Sequence, residues 1–341
     1  MIYPIPSYSS ISPFNVPSCH SSLFMSQKPP TPAPNSFPEC VKQAVISTNE
    51  ALEAGEKLIE VEFPPLPLDY LEDSASSARD IASANTRWAL AFSQAFACNG
   101  NIRILYPDQP EVDDAIKYLA GGSSPVEIKN GNSPSANVTI NTLRQDSIKN
   151  AETLDQVIGS IFGARFGGKS SIEAIPDTTL YVAVVTSTQE LPALETLHEL
   201  DPDVPIVFFN LRLDILRGDL GLPLFPGRDL QYRFLSKIKP ALLLKPSTFA
   251  TSIKRPPFVV NYSGQLFRAY PEGYQTILNT GQQKSRIIAT SSTKPTNLDF
   301  RNQLIGSLII EGVPNEELKT QGNLVWWEKD MEQMASKNFI E

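Results

Sequence analysis

The sequence is poor in the residues that most often build catalytic and metal sites. It contains 2 histidines and 3 cysteines among its 341 residues. No pair of cysteines has CxxC spacing, so the patterns of a zinc ribbon, a thioredoxin-type redox site and a disulfide framework are all missing. His198 is the one histidine outside the first 38 residues, and we interpret it as a side chain at the core boundary of an amphipathic helix. Cys98, near a predicted helix end, is interpreted as a buried or half-buried structural thiol. No catalytic residue, metal site or cofactor is predicted.

Positive charge and long apolar runs are also scarce. Lys and Arg number 29 against 37 for Asp and Glu, which gives a formal net charge of -8. An acidic surface repels phosphate backbones and anionic lipid, so no nucleic-acid partner is expected. The longest apolar runs, 180–185 and 204–209, are far shorter than the roughly 20 residues that span a bilayer. We therefore expect at most peripheral membrane association.

Acidic residues are missing from the first 38 positions. This stretch has no Asp or Glu and one basic residue, Lys28, and it is rich in Ser and Pro. Such a composition buries too little apolar surface to fold. We interpret 1–38 as a disordered chloroplast transit peptide, because it has neither the Arg of a mitochondrial presequence nor the apolar core of a secretory signal. The alternative is an ordinary disordered tail.

The rest of the chain alternates strand and helix patterns over its first part. Predicted strands are 58–63, 102–106, 138–143, 180–185, 204–209 and 241–244, and predicted helices are 39–53, 74–97, 111–120, 151–162 and 190–200. Continuous apolar strands are typical of a sheet covered on both faces. The order predicts an α/β fold with a doubly wound, mainly parallel sheet flanked by helices.

The pattern changes near residue 257. Strands at 258–262, 265–270, 274–279 and 286–290 are predicted, with turns at 263–264 and 272–273 among their connections. They predict a C-terminal antiparallel β-meander over about 257–291, which extends the sheet edge or forms a small subdomain. We assign 39–311 to one α/β domain and 312–341 to a C-terminal helical segment.

One segment matches the P-loop pattern GxxxxGK[ST]. Its candidate phosphate-binding residues are Gly163, Gly168, Lys169 and Ser170. A P-loop needs a strand before it and a helix after it, so that helix amides hold the phosphates. Here a predicted helix precedes the glycines. The reversed order favours a glycine-rich helix end over a nucleotide site.

A second candidate segment follows the predicted strand 204–209. In open α/β sheets, ligands bind beyond the carboxyl ends of the strands. The candidate ligand or partner residues of this arginine loop are Arg212, Asp214, Arg217, Asp219, Arg228 and Arg233. They can form an anion site, or a ladder of ion pairs that holds an ordered loop in place. The second interpretation is favoured.

Several segments together resemble a known family. They are Phe63–Pro67, Ile102–Asp108, Leu213–Gly221 and Phe258–Pro271. Over roughly 40–311 the chain resembles the plant and cyanobacterial domain-of-unknown-function family 1995. That family includes the low photosystem II accumulation proteins of chloroplasts, and a related domain is fused to a chloroplast adenylate kinase. The resemblance implies a plastid location and a role in photosystem II assembly or stability, and it supplies no catalytic residues.

These observations give one leading expectation and two alternatives. The leading one is a chloroplast protein without catalytic activity, in the stroma or peripheral to the thylakoid, that binds photosystem II assembly components or other chloroplast proteins. The first alternative is an α/β enzyme or sensor that binds a nucleotide or a phosphorylated small molecule. The second is a structural or regulatory domain tuned by redox chemistry or phosphorylation.

Overall fold

The structure is a computed structural model of the chain. It describes residues 30–64, 77–121, 137–143, 172–187, 189–213, 227–252, 259–281 and 284–311. The predicted transit peptide, apart from 30–38, lies outside these ranges, as do the helix at 151–162, the P-loop match and the C-terminal segment 312–341. Among the described residues, no helix is both long enough and apolar enough to cross a membrane.

Six helices and nine strands make up the described part of the chain. The helices are α1 (Phe37–Glu53), α2 (Ser77–Gln94), α3 (Gln109–Gly121), α4 (Leu191–Leu200), α5 (Arg228–Arg233) and α6 (Asn297–Glu311), with a short 3-10 turn at Leu235–Lys237. The strands are β1 (Leu58–Glu62), β2 (Asn101–Tyr106), β3 (Val138–Thr142), β4 (Thr178–Val184), β5 (Ile206–Phe209), β6 (Lys239–Ser252), β7 (Val259–Ala269), β8 (Tyr274–Gly281) and β9 (Lys284–Ser291).

All nine strands belong to one sheet. Their order is β3-β2-β4-β5-β1-β6-β7-β8-β9. The strands from β3 to β6 in this order are parallel, whereas β6, β7, β8 and β9 pair antiparallel. The predicted α/β class, the mainly parallel sheet and the C-terminal antiparallel strands are therefore confirmed. Those strands extend the edge of the main sheet.

Helices cover both faces of this sheet. On the first face, α1, α2 and α3 pack on alternate strand residues, and one core cluster joins Ala44, Trp88 and Val112 to Ile104 and Val182. The second face carries the intervening strand residues. Two clusters cover it: α4 and α5 pack on β4 and β5, and α6 packs on β6, β7 and β8. Right-handed crossovers in opposite directions place the helices in this way.

Aromatic rings fill the first face where α1, α2 and the strand ends meet. Phe37 stacks on Trp88 at 4.4 Å between ring centroids. Phe92 lies 5.5 Å from Phe209, and Phe63 lies 5.2 Å from the same ring. Trp88, Phe92 and Phe96 are all buried. Phe96 lies beyond α2, which ends at Gln94 and not at 97 as predicted.

The predicted turn at 263–264 is wrong. Residues 259–269 form the single strand β7, in which Ser263 and Gly264 pair with Thr248 and Ser247 of β6. Gly264 is required for packing and not for a turn. A Cβ there would lie 2.6 Å from the Ile277 carbonyl oxygen and 2.6 Å from Leu304 Cδ2. The missing side chain lets α6 approach the sheet closely.

Apolar and acidic residues alternate along the end of β1, but neither side of this strand faces solvent. β1 lies between β5 and β6 in the middle of the sheet, and all five of its residues are buried. Glu60 and Glu62 are thus buried carboxylates on the second face, where β1 separates the two core clusters. β1 is a central strand because β5 and β6 come to flank it, which the local pattern does not indicate.

Candidate functional site

Two topological switch points, where a crevice is expected, lie at the carboxyl edge of the parallel strands. They form where neighbouring strands lead to helices on opposite faces, which is the position where open α/β sheets bind ligands. One lies between β2 and β4, which lead to α3 and α4. The other lies between β5 and β1, which lead to α5 and α2.

The crevice between β2 and β4 is lined by acidic groups; we call Asp108, Glu111, Ser187 and Glu190 the acidic crevice. Asp108 accepts a hydrogen bond from the Glu111 amide, 3.2 Å from Oδ1, at the start of α3. Glu190 precedes α4 and is 6% exposed. Its Oε2 accepts from the Ser187 amide at 2.8 Å and from the Ser187 hydroxyl at 2.6 Å. Asp108 thus caps the start of α3, and Glu190 holds the turn that precedes α4.

The ionised form of the Glu111 side chain is electrostatically unfavourable in this place. Burial, and then the negative charges of Asp108 and Glu190, together raise its pKa from 4.5 to about 7. Among the described residues, Glu111 Oε2 is buried and has no hydrogen-bond partner. Within the same ranges the buried Thr186 hydroxyl has none either. A carboxyl group with a pKa near neutrality can hold a proton that an ordinary glutamate releases.

The crevice between β5 and β1 is organised by Asn210. Its backbone has a φ of 55°, in the left-handed region that asparagine tolerates better than most residues. Its Oδ1 accepts from the Phe63 amide at 2.6 Å, and its Nδ2 donates to Asn85 Oδ1 at 2.9 Å. One side chain therefore connects the carboxyl ends of β5 and β1 to α2.

The described members of the arginine loop lie after β5 and on α5. Arg212 is exposed just after β5 and has a φ of 51°. Arg233, on α5, makes a two-pronged contact with Glu195 of α4, with Nε–Oε1 at 2.6 Å and Nη2–Oε2 at 2.9 Å. This hydrogen bond raises the pKa of Arg233. The contact corresponds to a structural ion pair between helices.

The structure describes no side-chain contacts for the other members of the two predicted sites. Arg228 begins α5. Asp214, Arg217 and Asp219 lie outside the described residues. The four P-loop candidates, Gly163, Gly168, Lys169 and Ser170, also lie outside them.

The histidine and cysteines are dispersed. His198 is half-buried on α4; desolvation and then the charge of Lys237 lower its pKa. Cys98 is exposed, so its prediction as a buried or half-buried thiol is wrong: the chain leaves the helix at Gln94 and turns at the surface. Burial raises the pKa of the Cys40 thiol on α1. Within the described ranges, no group of three or more His, Cys, Asp or Glu could hold a metal ion.

Sequence reasoning missed the acidic crevice and Asn210. A local signal existed for the first, because Asp108-x-x-Glu111 and Ser187-x-x-Glu190 both have the spacing of a helix-capping box. No local signal placed the two pairs together, since only the sheet order makes β2 and β4 neighbours. Asn210 ends an apolar strand, but its partners are far away in sequence.

Comparison with known proteins identifies one family. Its model, described as "Domain of unknown function (DUF1995)", matches residues 34–302, which is more than half of the chain. No curated protein and no solved structure matches.

Proposed function

Since the chain belongs to the DUF1995 family, we propose that it is a chloroplast protein-binding factor without catalytic activity, which acts in the assembly or stability of photosystem II or another thylakoid complex. The family description names no activity, so the family alone decides nothing about function. The acid-free, Ser-rich leader supports the plastid location. The likeness to the low photosystem II accumulation proteins supports the choice of complex.

The observation that carries protein binding is the edge strand β9. It is the last strand of the sheet and pairs only with β8 among the described residues. An edge strand presents backbone N–H and C=O groups that an extended segment of another protein can pair with. The side chains of Ser285, Arg286 and Ile287 are exposed along it.

An exposed apolar side chain lies on the same strand. Ile287 of β9 is 39% exposed. Apolar surface on an open strand edge supports association with a protein segment. The expected occupant is an extended partner segment that adds to β9. Arg286 favours one with an acidic residue in register, because opposite charges across a strand pair attract.

A matched pair of variants tests this proposal. Ile287→Lys places a charge on the β9 edge, and Ile46→Lys places the same charge on α1, where Ile46 is 48% exposed. Each tagged protein is purified by affinity from chloroplasts, beside an untagged control, and the accompanying proteins are identified by mass spectrometry. We expect photosystem II subunits or their insertion machinery with the unaltered chain and Ile46→Lys, and a loss of them with Ile287→Lys. Equal recovery with all three chains would contradict binding at β9.

A second candidate function is the binding of a phosphorylated small molecule or a nucleotide. Arg212 favours it, because it lies exposed at the crevice between β5 and β1. A ligand at 100 times its dissociation constant stabilises the protein by about 2.7 kcal/mol. A melting screen over nucleotides and phosphorylated metabolites, with Arg212→Ala as the comparison, tests it. A compound that stabilises the unaltered chain but not the variant would support this function, and no shift with any compound would refute it.

A further inference from the structure

The basic residues of this acidic chain are unevenly distributed. Residues 239–311, which include β6–β9 and α6, hold nine of the 29 Lys and Arg but only three of the 37 Asp and Glu. This part of the chain is therefore positively charged, and the formal net charge of -8 arises in the rest. The four strands are consecutive at one end of the sheet, so an acidic partner is attracted to that end and repelled elsewhere.

Two arginines of this region are held by neutral groups. Arg268 of β7 donates from Nη1 to the Tyr274 hydroxyl at 3.1 Å and from Nε to the Glu272 backbone carbonyl at 3.2 Å. Arg301 of α6 donates from Nε to the Tyr262 hydroxyl at 3.3 Å. Hydroxyl and carbonyl oxygens carry no formal charge, so these contacts hold both guanidinium groups in place without offsetting their charge.

A third arginine lies at the edge of the sheet, in the middle of an exposed run of β9. Ser285, Arg286 and Ile287 are exposed and pair in continuous register with three consecutive residues of β8. The next residue, Ile288, is an extra one, because Ile287 and Ala289 pair with successive residues of β8. Such a bulge bends its strand. A partner segment therefore pairs most simply with the three residues before the bulge.

The register of β9 determines the pattern that such a segment needs. Arg286 pairs with Leu278, which belongs to the core cluster under α6, whereas Ile287 pairs with Ile277, which belongs to the cluster on the opposite face. Because side chains alternate along a strand, a partner residue in register with Arg286 lies on the α6 face. Its two neighbours lie on the other face, beside Ser285 and Ile287. An acidic residue suits the first position and an apolar residue suits the position beside Ile287.

We propose that β9 selects an extended partner segment in which acidic and apolar residues alternate, with an acidic residue in register with Arg286. This inference rests on the proposed binding at β9 and adds the chemistry of the partner. A second copy of this chain fits the edge less well, because it brings two positively charged regions together. Basic residues on an edge strand also oppose pairing between copies.

Two short peptides, titrated separately into the unaltered full chain, test this proposal. One alternates valine and glutamate, and the other has lysine in place of each glutamate. The NMR shifts of the β9 backbone amides report binding up to millimolar peptide. We expect the glutamate peptide to bind more tightly by about twofold to tenfold at low salt, because an attractive pair replaces a repulsive one. Added salt should reduce this difference.

A charge reversal on β9 then tests the role of Arg286. In Arg286→Glu the preference should invert, so that the lysine peptide binds more tightly. Lys117→Glu is the matched control, because it makes the same change in net charge at an exposed position of α3, which packs beside β3 at the opposite edge of the sheet. The control should still prefer the glutamate peptide.

The contrary outcomes separate this inference from the proposed function. Shifts of the β9 amides with neither peptide would overturn binding at this edge, and the inference with it. Equal affinities for the two peptides, unchanged in Arg286→Glu, would keep β9 as the docking strand but overturn the acidic partner. Shifts of the β9 amides that depend on the concentration of the chain alone would make a second copy the occupant, which also overturns the proposal.

Discussion

Replacing Asn210 with alanine tests how the crevice between β5 and β1 is held together. The substitution removes the acceptor of the Phe63 amide and the donor to Asn85. It also places alanine at a φ of 55°. The left-handed conformation costs a residue other than glycine, asparagine or aspartate about 1–2 kcal/mol. A partly buried amide left without its acceptor costs about 1–3 kcal/mol. Together they give an expected loss in the free energy of unfolding of about 2–5 kcal/mol.

Asn210→Asp is the matched variant. Aspartate tolerates the left-handed region and keeps an oxygen for the Phe63 amide. Asn85 can turn its amide so that Nδ2 donates to the new carboxylate. We expect a loss of no more than about 1 kcal/mol, since both contacts persist.

Urea denaturation of the three proteins at one neutral pH measures these differences. The midpoint shifts while the slope stays the same, provided only stability changes. A loss of less than about 0.5 kcal/mol for Asn210→Ala, the range of ordinary surface substitutions, would refute the account of this crevice. An Asn210→Asp protein as unstable as Asn210→Ala would show that the side-chain contacts and the φ preference do not explain the role of Asn210.

Three further predictions concern the interior and the acidic crevice. Glu111→Gln should raise stability at pH 8 by about 1 kcal/mol: a pKa raised from 4.5 to about 7 corresponds at most to about 3.4 kcal/mol, reduced here because the group is half-exposed. The gain should vanish by pH 4.5 in urea titrations, and a gain that persists there would argue against proton linkage. Gly264→Ala should cost about 1–3 kcal/mol by overpacking against Leu304, whereas Gly306→Ala, in open space on α6, should stabilise by about 0.5–1 kcal/mol; equal effects would contradict the close approach of α6. Tyr106→Phe removes the 2.6 Å hydrogen bond with Thr86 and should cost about 1 kcal/mol, and an unchanged urea midpoint would count against that bond.

The parts of the fold that were predictable are those encoded in short stretches. The apolar runs of β4 and β5 predict fully buried strands, and both are buried on the two sides. Trp88 and Phe92 recur at helical spacing and face the core. Local pattern decides these cases because each element must bury its own apolar face.

The errors arose where a distant contact decides. Ser263-Gly264 has the composition of a turn, yet Gly264 is in mid-strand because Leu304 of α6 lies against it. The burial of Glu60 and Glu62 could not be predicted, because it depends on β6 joining the sheet beside β1.

For the candidate sites too, local patterns were predictable from the sequence and contacts between distant residues were not. The arginine loop was found at the correct edge of the sheet, because the strand before it is recognisable. The partner of Arg233 is Glu195, on another helix, and no spacing in the sequence indicates that pair. The acidic crevice needs β2 and β4 to be neighbours, which depends on the order of the whole sheet.

The central claim is that this protein binds other chloroplast proteins and catalyses nothing itself. Affinity purification of the tagged, unaltered chain from isolated chloroplasts, with mass spectrometry of the accompanying proteins, tests it most directly. The account predicts enrichment of photosystem II subunits or their insertion machinery over an untagged control. A preparation that contains the tagged chain alone would contradict it.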